Sequence, residues 1–265
     1  VSSALYAFSR LRPAGFCIAA LLATLTVGAA RAQTVAPAGN SLARQIVSDP
    51  KFRAAVGVFD RDFERFVAEL IKLTEIPAPP FGEEPRARAY MAMLKDAGLE
   101  NVEMDAEGNV MGLRRGKSGG AVPLLAVAAH LDTVFPEGTD VKVKRQGTRL
   151  LAPGIGDDTR GLAFVLALIR AMRDAKVETA GDILFIGNVG EEGRGDLRGI
   201  KAIFRDHPSI DGFISIDGVR LGRITNGGTG SRRFEFQFNG PGGHSFGAFG
   251  LASAIHAMGR AIAKI

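Results

Sequence analysis

Three short apolar runs punctuate the middle of the chain: Leu124-Leu125-Ala126-Val127-Ala128-Ala129, Ile183-Leu184-Phe185-Ile186 and Phe213-Ile214-Ser215-Ile216. The first two read as strands buried on both faces of a sheet, and the third as a further strand. Helical patterns separate them. Leu162, Val165, Leu166, Ile169 and Met172 form an amphipathic stripe, and 199–204 reads as a shorter helix. Strands alternating with helices call for right-handed crossovers, hence an α/β fold with a mostly parallel sheet flanked by helices.

The flanks extend this pattern. Phe59, Phe63, Phe66, Val67, Leu70 and Ile71 repeat at helical spacing and stop before Pro77. A second helix is expected over about 85–97, closed by Gly98. Strand-like stretches at 102–104 and 110–113 flank the turn signal Glu107-Gly108-Asn109. From about residue 221 the rhythm changes. The alternating Arg233-Phe234-Glu235-Phe236-Gln237-Phe238 predicts a half-exposed strand in a separate, more antiparallel layer. A helix is expected from about Ala252 to the end, with no capping signal at Ile265.

At 265 residues the chain has room for one large core, or for one domain and part of another. Its first 32 residues read as a signal peptide: Arg10 and Arg12 precede an apolar stretch, and Ala30-Arg31-Ala32 supplies small residues for cleavage after Ala32. The stretch is short for a membrane span. A periplasmic or secreted protein with no stable span after cleavage is therefore expected, and residues 33 to about 42 read as a mobile leader. Loss of the three arginines in that segment takes the formal charge from +5 to +2, and no basic tract suggests a nucleic-acid partner. The single cysteine, Cys17, lies in the same segment, so any metal must be held by nitrogen and oxygen.

Four acidic or histidine motifs stand at the ends of the expected strands or in the loops that follow, where open α/β sheets bind ligands. They are His130-Leu131-Asp132, Gly154-Ile155-Gly156-Asp157-Asp158, Asn188-Val189-Gly190-Glu191-Glu192-Gly193 and Ser215-Ile216-Asp217-Gly218. Taken singly, each also admits a plain structural role: a histidine satisfied at a strand end, an Asp N-cap, a solvated acidic turn, an Asp-Gly turn. Taken together they would repel one another unless cations neutralised them. Mixed His and carboxylate donors suit zinc, and cobalt or manganese as well.

In order and spacing these motifs resemble the successive site motifs of the M20 metallopeptidases, a family that includes peptidase T, glutamate carboxypeptidases and aminoacylases. The resemblance implies a zinc-peptidase type catalytic domain over 59–222, after a leader and N-terminal segment at 33–58. It implies the start of an inserted α+β lid or dimerisation domain at 223–265. It further implies two divalent metal ions, with His130 and Asp217 on one, Glu192 on the other and Asp157 bridging both. Glu191 would act as general base, Asp132 would orient His130, and Asp158 would be a neighbour across a cis peptide bond. His244, in Gly240-Pro241-Gly242-Gly243-His244-Ser245, would steady an oxyanion from the lid, or be a loop histidine without a catalytic part. His207 and His256 match no motif and read as structural.

The reaction so implied is metal-assisted hydrolysis of amide bonds in small peptides or N-acyl amino acids, by a homodimer formed through the lid. The family's second metal takes a further histidine that no residue here matches, so a C-terminally truncated member is expected. The alternative is a non-catalytic or degenerate member of the fold acting as a binding module.

Overall fold

The computed structural model describes residues 38–120, 124–218, 222–228, 230 and 232–265. The expected signal segment and its cleavage position lie outside the described residues. The chain divides into two compact units, the first ending at Asp217 and the second comprising Gly218–Ile265.

In chain order the first unit runs through helices α1 (Ala38–Ser48), α2 (Pro50–Arg61), α3 (Phe63–Thr74) and α4 (Glu84–Asp96), then strands β1 (Glu100–Met104), β2 (Val110–Arg114) and β3 (Leu124–His130). The hairpin β4 (Lys144–Gln146) and β5 (Arg149–Leu151) precedes α5 (Arg160–Asp174), β6 (Asp182–Asn188), α6 (Arg198–Asp206) and β7 (Ile210–Ser215). The main sheet has the order β1-β2-β6-β3-β7. Its three apolar strands β6, β3 and β7 are parallel, and β1 and β2 join antiparallel.

All seven residues of β6 are buried, which explains why its run shows no alternation. Successive side chains serve opposite faces. Val127, Ala129 and Phe185 pack with Tyr90, Leu94, Leu162 and Leu166 from α4 and α5, whereas Ala126, Ala128, Leu184 and Ile186 pack with Ile203 of α6. β3 and β6 run in register from Leu124↔Asp182 to His130↔Asn188, so their carboxyl ends finish level. β7 stops at Ser215, where Ile216 N–H continues the ladder to Ala128 O at 2.7 Å. That register delivers the three strand-end motifs to one rim of the sheet.

Four expectations need correction. The helix read through Phe59 and Ile71 is two helices broken at Asp62, whose carboxylate accepts from Arg61 at 2.7 Å rather than capping either one. Residues 38–42, expected in the leader, belong to a helix, and α2 already joins the core layer through Phe59, stacked 5.6 Å from Phe164 of α5. The segment 233–238 forms no strand, because the second unit offers it no ladder partner among the described residues. The last helix, α7 (Ala254–Ile262), ends before the final residues; at its start Ser253 is the N-cap and accepts from His256 N–H at 3.3 Å.

Among the described residues no helix is long and apolar enough to cross a membrane.

Candidate metal centre

His130 closes β3 and is only 2% exposed. Its Nδ1 lies 2.9 Å from the backbone oxygen of Asp132, which orients the ring, and its Nε2 lies 2.9 Å from Asp157 Oδ1. The Asp132 carboxylate, expected to orient the ring, is farther from Nδ1, at 3.6 Å. It instead accepts Glu191 N–H at 3.1 Å and Glu192 N–H at 2.8 Å, so this buried side chain ties the end of β3 to the turn after β6. A motif that reads as local in the sequence is a bridge between strands in space.

Asp157 and Asp158 lie in the turn before α5 and are joined by a cis peptide bond. Asp157 is half-exposed beside His130. Asp158 is buried and turned into the protein, accepting His130 N–H and Gly161 N–H, each at 3.1 Å. Gly161 has to be glycine, because a Cβ there would collide with the Asp158 carboxylate and Ile216 O.

Two sets of donor atoms meet within 4.8 Å: His130, Asp157 and Asp217, and His130, Glu191 and Glu192. Four segments thus bring one imidazole and four carboxylates into two sets that share His130.

The electrostatics reflect that excess of negative charge. Burial opposes an imidazolium at His130, but Asp132 and Asp157 outweigh it and push the ring up to about 11. Asp157 is held below the usual carboxylate range by its hydrogen bond to His130. Burial lifts Asp158 to about 8, against the pull of His130 and with Asp217 and Asp157 adding to the rise. Glu191 and Glu192 are both raised, first by burial and then by neighbouring carboxylates. For Asp132, burial is outweighed by the neighbouring His130 ring and the two glutamate N–H groups, and its carboxyl is lowered. One proton on His130 balances one of these charges; divalent cations fit both the remaining charge and the nitrogen and oxygen donors.

His244 is in the second unit, where Nδ1 accepts Phe246 N–H at 3.2 Å and Gly247 N–H at 3.3 Å. His256 is exposed on α7. His207 follows α6 and helps line a cavity of about 340 Å³ whose wall includes Leu124 and Asp182, the first residues of β3 and β6.

Two arginines that no motif marks support the centre. Arg86, fully buried on α4, donates to Ile76 O at 3.0 and 2.7 Å and to Leu131 O at 2.7 Å, pinning the residue between His130 and Asp132. Burial lowers its guanidinium to about 10, against the pull of Asp132. Its position in the helical series Arg86, Tyr90, Met93, Leu94, Ala97 was the available signal, since that face is the buried one. Arg198, at the start of α6, holds Glu83 through Nη2 at 3.0 Å and Glu107 through Nε at 3.0 Å. It fills the space a side chain at Gly190 would need.

Comparison with known proteins accords with this geometry. Residues 126–231 match the model of peptidase family M20/M25/M40. Carboxypeptidase G2 of Pseudomonas sp. (strain RS-16) is 25% identical over 163 residues, spanning 58% of this chain and 38% of that protein. The aminopeptidase PepT of Bacillus cereus ATCC 10987 superposes with a TM-score of 0.50 at 26% identity, over 58% of this chain and 43% of its own. Human carnosine dipeptidase 1 shares the fold, with a TM-score of 0.53 at 14% identity over 63% of this chain and 41% of its own. The chain thus spans less than half the length of these relatives. Residues 126–231 are thus similar in sequence to that family, and the chain shares its fold with these solved structures over about three fifths of its length.

Proposed function

We propose that this chain carries most of the metal-binding site of a hydrolase acting on amide bonds in small peptides or N-acyl amino acids. The observation that carries the reading is that Asp157 with Asp217, and Glu191 with Glu192, each gather around His130 at the rim of the sheet, from four separate segments in all. His130 and Asp217 are assigned to one divalent ion, Glu192 to a second and Asp157 to both. Zinc is the preferred ion, and cobalt or manganese are accepted by the same donors. Such ions, when bound, polarise the scissile carbonyl and make water a better nucleophile at neutral pH.

The side chains divide the remaining work. Glu191, with its raised proton affinity, takes the proton of the attacking water and returns it to the leaving amine. Asp132 sets the direction of that glutamate by holding its backbone N–H. Asp158 holds the His130 backbone from inside and is not assigned to a metal. In the second unit, His244 is assigned to stabilising the tetrahedral oxyanion. That unit would begin a lid through which the full-length protein dimerises, and the leading segment would export it to the periplasm or beyond.

The likeness to carboxypeptidase G2 and to aminopeptidase PepT supports peptide substrates for the class. Calorimetric titration of the metal-depleted full-length protein with zinc tests the assignment. Two ions per subunit are expected, with Asp157→Asn binding no more than one tightly. Failure of the unaltered protein to bind zinc contradicts the reading.

A further inference from the structure

The loop that precedes α4 breaks a local rule that no core contact explains. Gly82 N–H donates to Pro79 O at 2.9 Å, closing a turn with Pro80 and Phe81 at its centre. Proline suits the first central position, and the second, at positive φ, normally takes glycine or asparagine. Here it holds Phe81 at φ 65, and the side chain is 65% exposed. A bulky residue kept in a backbone conformation that disfavours it, with its ring in water, is not explained by the core. Such departures gather at functional sites.

The turn is also held firmly against the metal centre. Ala78 O accepts both N–H and Oγ1 of Thr133, at 3.0 and 3.3 Å, one residue beyond Asp132. Phe81 N–H donates to Glu83 Oε1 at 3.1 Å. The Arg198 guanidinium lies 4.7 Å from the Phe81 ring centroid, covering one face. The same arginine packs against Gly190, the residue before Glu191. On the far side of that acidic turn, a Cβ at Gly193 would come within 4.0 Å of Pro80. Thr133, Gly190 and Gly193 therefore bracket the loop on both sides of the proposed catalytic glutamate, and the uncovered face of the ring is left open.

We propose that Phe81 is a specificity-determining residue: its open face forms the apolar wall of a subsite that receives the side chain next to the scissile amide. The substrates favoured are then peptides or acyl amino acids with a large apolar or aromatic side chain at that position. This deepens the hydrolase reading and rests on it.

The test compares hydrolysis of Phe-Phe and Gly-Gly dipeptides by the metal-loaded full-length protein, unaltered and as Phe81→Gly and Phe81→Leu, together with the Tm of each. The unaltered protein prefers Phe-Phe. Phe81→Gly lowers the Phe-Phe to Gly-Gly ratio of kcat/KM about tenfold or more, while Phe81→Leu keeps most of it. Because glycine relieves the turn, the Tm of Phe81→Gly stays level or rises; a residue kept only for packing on Arg198 would lower it. An unchanged ratio in Phe81→Gly, with hydrolysis intact, overturns this assignment and leaves the hydrolase reading standing. Absence of hydrolysis of either dipeptide by the unaltered protein overturns both.

Discussion

Strand β6 in the first unit and the segment 233–238 in the second both carry several large apolar residues, and they end in opposite states. Every residue of β6 is buried, with a parallel partner on one side and an antiparallel one on the other. In 233–238 no ladder forms, and Phe234 and Phe236 are 75% and 70% exposed, their rings 6.4 Å apart. The lesson concerns what makes a strand. A period-two pattern states which face would be buried, but the strand exists only if another chain segment satisfies its N–H and C=O groups. β6 has two such partners; 233–238 has none among the described residues of its unit. Helix α7 repeats the contrast: it is well capped and amphipathic, yet buries no residue, whereas α5 buries nine.

The largest effect that tests this contrast is a truncation in β6. Phe185→Ala removes a fully buried ring and is expected to cost about 3–5 kcal/mol in denaturant unfolding. A loss under 1 kcal/mol would mean that the sheet does not carry the stability of the first unit. Next comes Arg86→Met, which leaves the carbonyls of Ile76 and Leu131 without their buried donor; about 3 kcal/mol is expected, with Arg86→Lys recovering part. Zinc should then stabilise the two units unequally. At a hundredfold excess over Kd it should add about 2.7 kcal/mol to the opening of amides in β3 and β6, read by hydrogen exchange, and leave α7 unchanged. Equal protection of both would break the comparison. The smallest effect is that of Phe236→Ala, expected within about 0.5 kcal/mol, because the ring is already in water.

Much of the first unit was legible because its signals are local. The apolar runs of β3 and β6 and the stripe of α5 are uninterrupted, and their ends are marked by His130, Asp157 and the Glu191-Glu192 pair. The strand-end rule for α/β sheets places these residues on one rim. What escaped depends on distant partners. Arg86 and Arg198 look like ordinary surface charges of helices until the carbonyls and carboxylates they meet are known. The hairpin β4–β5 has strands of three residues each, too short to show a period. The break at Asp62 has neither glycine nor proline to announce it. The 233–238 strand was misread for the converse reason, a clear pattern lacking a partner.

The claim at the centre of this account is that the acidic cluster at the sheet rim is a hydrolytic metal site with Glu191 as its proton carrier. Its most direct test is Glu191→Gln in the full-length, zinc-loaded protein, with dipeptide hydrolysis, zinc stoichiometry and Tm measured side by side. The account predicts a fall in kcat of about 10²–10⁴-fold, with two zinc ions retained and the Tm unchanged. Undiminished hydrolysis by Glu191→Gln would contradict it.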